Sequence, residues 1–383
     1  MRKRNDGMDD ARCRGDWKVL DGPHIAELCE TIRSPYTLKN TRYVLRRFFN
    51  NPLIRMNAEE FIQKAKTDAT GTQELLKQYI LHYKKEVLEK RMVGETLKNH
   101  IKALKLFLEI NDVTGINWFK LRKIMPSMRR GSNDRAPTIE ELQNVDKYGD
   151  ARQKFMLAAM VSGGFRLGGW VDLKVKDFEP IKRDGVIVAC KVTIYRGEPE
   201  EYFTFVSSET WDRLQAYLDL RKKFGEQVTG DSPVIRNQFR TRARGIGFGN
   251  STVTNVKPLD LKGVGASFSR AWRKAGYRLE IGKGRKEFKL IHSFRKFYKS
   301  RAEQTMKPIN VETLLGHSTG ISDSYYRPLE TDLLNDYLKA VKDLCIEPSN
   351  RASATASQTE VEDLRRMIIN LTNRINSLSQ VSI

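Results

Sequence analysis

Cysteine is scarce and scattered. The four residues, Cys13, Cys29, Cys190 and Cys345, include no pair at CxxC spacing, which removes the usual signals of a zinc site or a dithiol redox centre and fits a reducing compartment. Long apolar runs are missing as well: the longest nearly apolar stretch, FMLAAMVSGGF from Phe155 to Phe165, is about half the roughly 20 residues that a transmembrane helix needs. The basic N-terminus, MRKRNDGMDDARCRGDWK, has no apolar segment behind it, so no signal peptide is expected. There is no GxxxxGK[ST] loop and no evident carboxylate cluster for a pair of magnesium ions, so neither a metal nor another cofactor is expected. Acids are in deficit, 47 Asp and Glu against 68 Lys and Arg, for a net charge of +21. That excess points to a polyanion. With no segment able to enter a bilayer, the expectation is a cytoplasmic protein without a membrane partner, bound to nucleic acid.

At 383 residues the chain has room for two or three domains. A basic N-terminal segment, residues 1–21, precedes a run of helices over residues 22–128, where start signals recur, such as Ser34 followed by Pro35 at the first helical position. Within it Leu97, Ile101, Leu104 and Leu108 repeat at helical spacing and define a buried stripe. Apolar residues then vanish across a linker, residues 129–137. Thr138 with Glu141 reads as a capping box opening a second domain, residues 138–346. That domain is mainly helical with one strand pair, GVIVACKVTIYR and EEYFTFVS, joined by a short turn at Gly197, Glu198 and Pro199, which argues against a doubly wound nucleotide fold. A Ser, Ala and Thr-rich linker, residues 347–358, leads to residues 359–381, where Val361, Leu364, Ile368, Leu371, Ile375 and Leu378 form a heptad seam. That segment is expected to be a coiled-coil helix, docked on its own domain or on another helix.

The basic residues are concentrated. Lys39, Arg42 and Arg46 line one face of an early helix, and Lys98, Lys102 and Lys105 line another. Between Ser269 and Lys307 there are 13 Lys or Arg against 3 acids, including Arg270, Arg273 and Lys274. Arg236, Arg240, Arg242 and Arg244 form an acid-free run. Such density needs an anion to neutralise it, and Trp272, Tyr277 and Phe288 interleave so that the region can still fold. These rows are read as DNA contacts, mostly to phosphates.

With five histidines in all, the neighbours of each carry information. His292 stands in LIHSFRKFYKS with Arg295 three residues on, so on a helix both side chains can address one phosphate. His317 stands in LLGHSTGISDSYYRP, nine residues before Tyr326, and Arg166 follows a Gly-Gly pair in VSGGFRLGGW. Each alone is a weak signal. Their order, Arg, HxxR, LGH, Tyr, resembles that of the tyrosine recombinases, or phage-type integrases, across the second domain from about Pro137 to Lys342, and LLGHSTGISDSYYRP is most similar to integrases of archaeal mobile elements.

The resemblance implies a mainly α fold: a helical core-binding domain, a mixed catalytic domain of helices with a small antiparallel sheet, and here the added C-terminal heptad helix. It implies a site-specific recombinase that cuts and rejoins double-stranded DNA through a 3′-phosphotyrosyl bond without metal or ATP, as a homotetramer in the nucleoid. Arg166 and Arg295 would clamp the phosphate oxygens, His292 would accept the nucleophile's proton, His317 would hold a phosphate oxygen, and Tyr326 would attack. Tyr325 is the alternative nucleophile, because adjacent helical residues point about 100° apart and only one can face the phosphate. The family places a lysine near the hairpin turn to protonate the leaving 5′-oxygen. Here Arg196 stands there, a poor proton donor but a good phosphate ligand, and Lys191 lies five residues earlier, on the opposite face of a regular strand; either Arg196 binds the phosphate and water protonates the oxygen, or a bulge brings Lys191 round as the general acid. Gly169 replaces the acid that commonly supports the site, with Asp172 nearby as a substitute. Thr331 to Leu344 resembles the family's subunit-docking helix; the alternative is that it closes its own domain. Alternative readings are a type IB-like topoisomerase or resolvase, and a non-catalytic DNA-binding protein that keeps the fold.

Overall fold

The computed structural model describes residues 20–89, 91–126, 134–239, 255–277, 288, 291–318, 320, 325–351, 366–368 and 371. The chain divides into two compact units, Met1–Ser132 and Asn133–Ile383. Among the described residues no helix is long and apolar enough to cross a membrane.

The first unit is helical: α1 (Pro23–Thr31), α2 (Pro35–Phe49), α3 (Ala58–Thr67), α4 (Ala69–Leu88), α5 (Gly94–Ile110) and α6 (Trp118–Ile124). Local chemistry sets its boundaries. Ser34 accepts the Thr37 N–H with Pro35 in the first turn of α2, as the sequence predicts, and Asn57 with Glu60 forms a full capping box on α3. The expected stripe on α5 is buried, at Leu97, Ile101, Leu104 and Leu108. It meets an aromatic cluster in which Phe48, Phe49, Phe61, Tyr79 and Phe107 pack edge to face, each pair adding about 0.5–1.5 kcal/mol beyond simple burial.

The second unit runs α7 (Ile139–Lys147), α8 (Ala151–Gly163), β1 (Phe178–Arg183), β2 (Val186–Ile194), β3 (Tyr202–Ser207), α9 (Ser208–Lys223), α10 (Leu261–Lys274), α11 (Ile291–Ala302), α12 (Pro308–Leu314) and α13 (Glu330–Leu344). Thr138 and Glu141 cap α7 as predicted, and Arg135 braces that glutamate at 2.7 and 2.5 Å. The apolar stretch noted in the sequence forms α8, buried along Phe155–Val161 and packed against α9, α11 and β3. A helix covered on every side needs no polar face, which explains its weak periodicity.

The sheet has three antiparallel strands in the order β1-β2-β3, not the two read from sequence. β1, FEPIKR, escapes period-2 reading because it is an edge strand carrying charges and Pro180, a residue that only an edge tolerates. The expected C-terminal helix is α13, and its Leu333, Leu334, Tyr337, Val341 and Leu344 are buried in its own unit, with the Tyr337 hydroxyl donating to the Ser162 carbonyl at 3.0 Å. Of the heptad segment, Ile368 and Leu371 are helical and exposed, at 61% and 57%; Val361, Leu364, Ile375 and Leu378 lie outside the described residues.

Arg236 corrects the sequence reading. It is fully buried, and with Arg221 it grips Glu226, at 2.8 Å from Arg236 Nη1 and 2.5 Å from Arg221 Nη2. Its guanidinium is paired inside the unit, so it is a core residue and not part of a DNA-facing row.

Candidate active site

α8 ends where the sequence places two glycines. Gly164 takes φ +60° and its N–H caps the helix on the Met160 carbonyl; a Cβ there would sit 2.3 Å from the Tyr298 ring on α11, so glycine is required. Phe165 is buried, and Arg166 emerges exposed before the 3-10 turn Leu167–Trp170. Its Nη1 donates to the Gly316 carbonyl at 3.1 Å.

Arg295, in the second turn of α11, is 8% exposed. Its Nη1 donates to the Gly164 carbonyl at 2.8 Å and its Nη2 to the Leu315 carbonyl at 2.7 Å, while Nη2 also lies 2.6 Å from His317 Nε2. Two guanidiniums and an imidazole therefore converge on the turn that follows α12. Gly316 makes that turn at φ +62°, and a Cβ on it would fall 2.6 Å from the Tyr202 ring.

The electrostatics of this cluster favour an anion. Burial, together with the like charge of Arg166, holds the Arg295 guanidinium below its ordinary range, against the opposing pull of Tyr202 and Glu312. His317 Nδ1 contacts Glu312 Oε2, and Lys299 pairs with the other oxygen of that carboxylate. A carboxylate only accepts, so Nδ1 carries the proton and Nε2 meets Arg295 as acceptor. Burial raises the Glu312 pKa, but hydrogen bonds from Lys299 and His317 outweigh it and leave the group below its usual value. The Tyr202 hydroxyl is buried beside Arg295, and among the described residues it has no hydrogen-bond partner of good geometry.

Tyr326 is half-buried, and its hydroxyl donates to Asn310 Oδ1 at 2.6 Å. Asn310 Nδ2 in turn donates to Asp336 Oδ2 at 2.7 Å, an oxygen that also accepts the Lys307 N–H at 2.9 Å. Tyr325 is 86% exposed. His292 lies exposed in the first turn of α11.

The two hairpin candidates are engaged elsewhere. Arg196 Nε donates to Asp177 at 2.6 Å and its Nη2 to Glu179 at 3.1 Å. Lys191 Nζ pairs with Glu330 at 2.5 Å and lies 4.7 Å over the Phe203 ring. Asp172 is exposed at φ +63°, a conformation that aspartate tolerates in turns, and Gly169 is buried with a Cβ position 3.0 Å from Ile194. The residue that bends β2 into its turn is Tyr195, at φ +58°. For an aromatic residue that region costs on the order of 1–3 kcal/mol, and such strain concentrates at functional sites.

Sequence reading missed Glu312, Asn310, Tyr195 and Tyr202. The only sequence signal for Glu312 is its place five residues before His317, one helical turn and a bend away. Of the expected DNA contacts, Lys39, Arg46 and Lys102 are exposed, and Arg42 is half-buried with Nη1 3.9 Å from Cys29 Sγ. Lys98 and Lys105 pair on the helix surface with Glu95 at 3.4 Å and Glu109 at 3.3 Å. Arg270, Arg273 and Lys274 are exposed along one face of α10; Arg240, Arg242 and Arg244 lie outside the described residues. Among the described residues no three His, Cys, Asp or Glu side chains are grouped to hold a metal ion.

No protein-family model matches this sequence, and no curated protein matches it. Solved structures do. A lambda integrase dimer bound to a COC′ core site is 15% identical, with a TM-score of 0.51, over 80% of this chain and 93% of that one. The Tn1549 transposon integrase in complex with transposon right-end DNA is 16% identical, with a TM-score of 0.50, over 82% and 96%. A lambda integrase tetramer bound to a Holliday junction is 15% identical, with a TM-score of 0.50, over 80% and 75%. The chain, a mostly helical molecule with a small antiparallel sheet, has the tyrosine recombinase fold.

Proposed function

We propose that this protein is a site-specific DNA recombinase of the integrase type that cuts and rejoins double-stranded DNA through a 3′-phosphotyrosyl intermediate. The observation that carries the proposal is the convergence of Arg166, Arg295 and His317 on the turn at residues 315–317, on the fold of DNA-bound integrases. Breaking a phosphodiester requires neutralising the charge that builds on the non-bridging oxygens. Two guanidinium forks supply that, and a single such donor is worth about 10²–10³ in rate. In this reading an arriving phosphate takes the place of internal acceptors: Arg295 exchanges His317 for an oxyanion, and His317, its ring oriented through Nδ1 by Glu312, takes a proton from water at Nε2 and donates a hydrogen bond from it to the same oxygen. Tyr326 leaves Asn310 and attacks phosphorus, with His292 accepting its proton. The bond energy is kept in the phosphotyrosyl link, so rejoining needs no ATP and no metal.

The finer parts of the proposal rest on likeness and pattern. A homotetramer on two duplexes follows the lambda integrase tetramer on its junction. Because α13 closes its own unit, subunit association is assigned to the heptad segment beyond residue 358. Location with the nucleoid follows from the partner, and an archaeal mobile element from the LGH-to-Tyr stretch.

The test is covalent trapping. The protein is incubated in EDTA with duplexes that carry a randomised centre, denatured, and the protein-linked DNA is sequenced. The proposal expects adducts enriched in one core sequence and lost in Tyr326→Phe. Tight DNA binding with no adduct overturns it and leaves a DNA-binding protein that keeps the fold.

A further inference from the structure

A strand cleaved by a phenol leaves behind a 5′-alkoxide, and some group must give it a proton. Lys191 is paired with Glu330, and Arg196 is held by Asp177 and Glu179. Both are therefore spoken for, and arginine is in any case too weak an acid. The hairpin instead presents a different side chain to the two arginines. At Tyr195 the left-handed bend ends β2, and the phenol comes over Gly168, two residues past Arg166, so closely that a Cβ on Gly168 would lie 2.7 Å from its hydroxyl. Its ring leans on that of Tyr202, with centroids 6.2 Å apart, and Tyr202 covers Gly316 in the turn that Arg166 and Arg295 hold. The phenol is within electrostatic reach of both guanidiniums, and its hydroxyl makes no hydrogen bond among the described residues. Resting on the recombinase reading above, we propose that the Tyr195 hydroxyl is the general acid that protonates the leaving 5′-oxygen.

The chemistry balances. As Tyr326 oxygen bonds to phosphorus, the bond from phosphorus to the 5′-oxygen breaks, the Tyr195 proton moves to that oxygen, and the proton lost by Tyr326 goes to its base. In rejoining, the 5′-hydroxyl attacks and returns its proton to Tyr195. A phenol and an alkylammonium have nearly the same unperturbed pKa, about 10, so tyrosine can do here what a lysine does. Burial, only partly offset by Arg166 and Arg295, raises the Tyr195 pKa, which keeps the proton on the group at neutral pH until the alkoxide forms. Without a Cβ at Gly168 there is space for the hydroxyl, and the strain at φ +58° is the structural trace of aiming it.

The test uses the core sequence recovered by covalent trapping, synthesised once with an ordinary phosphodiester and once with sulfur replacing the bridging 5′-oxygen at the cleaved step. A thiolate leaves without a proton, its conjugate acid having a pKa of about 8.5. The expected result is that Tyr195→Phe slows adduct formation on the oxygen substrate by roughly 10²-fold or more and leaves the sulfur substrate within about threefold of the unmodified chain. Gly168→Ala, whose new methyl displaces the hydroxyl while Tyr195 remains, should give the same pattern more weakly, and it carries the test if the phenylalanine variant does not fold. Equal slowing on both substrates makes Tyr195 a positioning residue and overturns the proposal, as does full activity of both variants on the oxygen substrate. Should the trapping step recover no core sequence because the unmodified chain forms no adduct, the recombinase reading itself falls, and this assignment with it.

Discussion

Removing each of the two arginines in turn should produce opposite balances of stability and activity. Arg166 is exposed and, among the described residues, makes one hydrogen bond, to the Gly316 carbonyl at 3.1 Å. Arg166→Ala should thus cost the fold about 0.5–1.5 kcal/mol at most, a melting shift of a few degrees for a unit of this size. Arg295 is 8% exposed and satisfies the Gly164 and Leu315 carbonyls. Each carbonyl left buried without a donor costs about 1–3 kcal/mol, so Arg295→Ala should lose about 2–6 kcal/mol and, at roughly 2–4 °C per kcal/mol, melt on the order of 5–20 °C lower. Adduct formation should nevertheless fall by at least about 10²-fold in both, since each removes a donor to the developing charge. Differential scanning fluorimetry beside the trapping assay, at a temperature where both variants are folded, reads the two quantities together. Equal melting points for Arg295→Ala and the unmodified chain, or a collapse of stability in Arg166→Ala, would refute the division into one buried and one presented guanidinium.

Other outcomes follow from the same structure. Glu226→Ala strands Arg221 and Arg236 in the core and should cost about 3–5 kcal/mol by urea unfolding. The Glu312 carboxyl is held below its usual pKa on folding, so its contribution to stability is present above the unfolded value of about 4.3 and lost as pH falls through the lower folded value. The difference in urea midpoint between Glu312→Gln and the unmodified chain should accordingly be largest at neutral pH and close below about pH 4. DNA affinity measured by fluorescence anisotropy should drop by orders of magnitude between about 50 and 200 mM salt, because phosphate contacts release counterions; a flat response would contradict contacts from Lys39, Arg46, Arg270 and Arg273. Deleting residues 361–383 should weaken subunit association in analytical ultracentrifugation on DNA while sparing adduct formation.

The parts of this molecule that were legible in its sequence are those set by near neighbours. Ser34 with Pro35, Thr138 with Glu141 and the α5 stripe involve residues within one or a few helical turns, and each is where local chemistry puts it. The order of Arg166, Arg295 and His317 was legible because histidine is scarce here and the motifs around it recur in a set order in the family it resembles, and the structure brings those three together. Contacts made across the fold were not legible. Arg236 read as part of a basic row because its partner Glu226 lies ten residues upstream and reaches it only in the folded core. β1 hid behind Pro180, since edge strands need not alternate. The hairpin was the least legible part: strand periodicity cannot anticipate that the chain turns left-handed at Tyr195, or that Asp177 just before β1, Glu179 on β1 and Glu330 on α13 take up Arg196 and Lys191.

The central claim is that Tyr326 becomes covalently bound to DNA. The most direct measurement digests the EDTA-trapped adduct with protease and nuclease and sequences the nucleotide-bearing peptide by tandem mass spectrometry. The account predicts a 3′-nucleotide mass on Tyr326, with Tyr325 unmodified. A nucleotide on Tyr325, on a serine, or on no residue at all would contradict it.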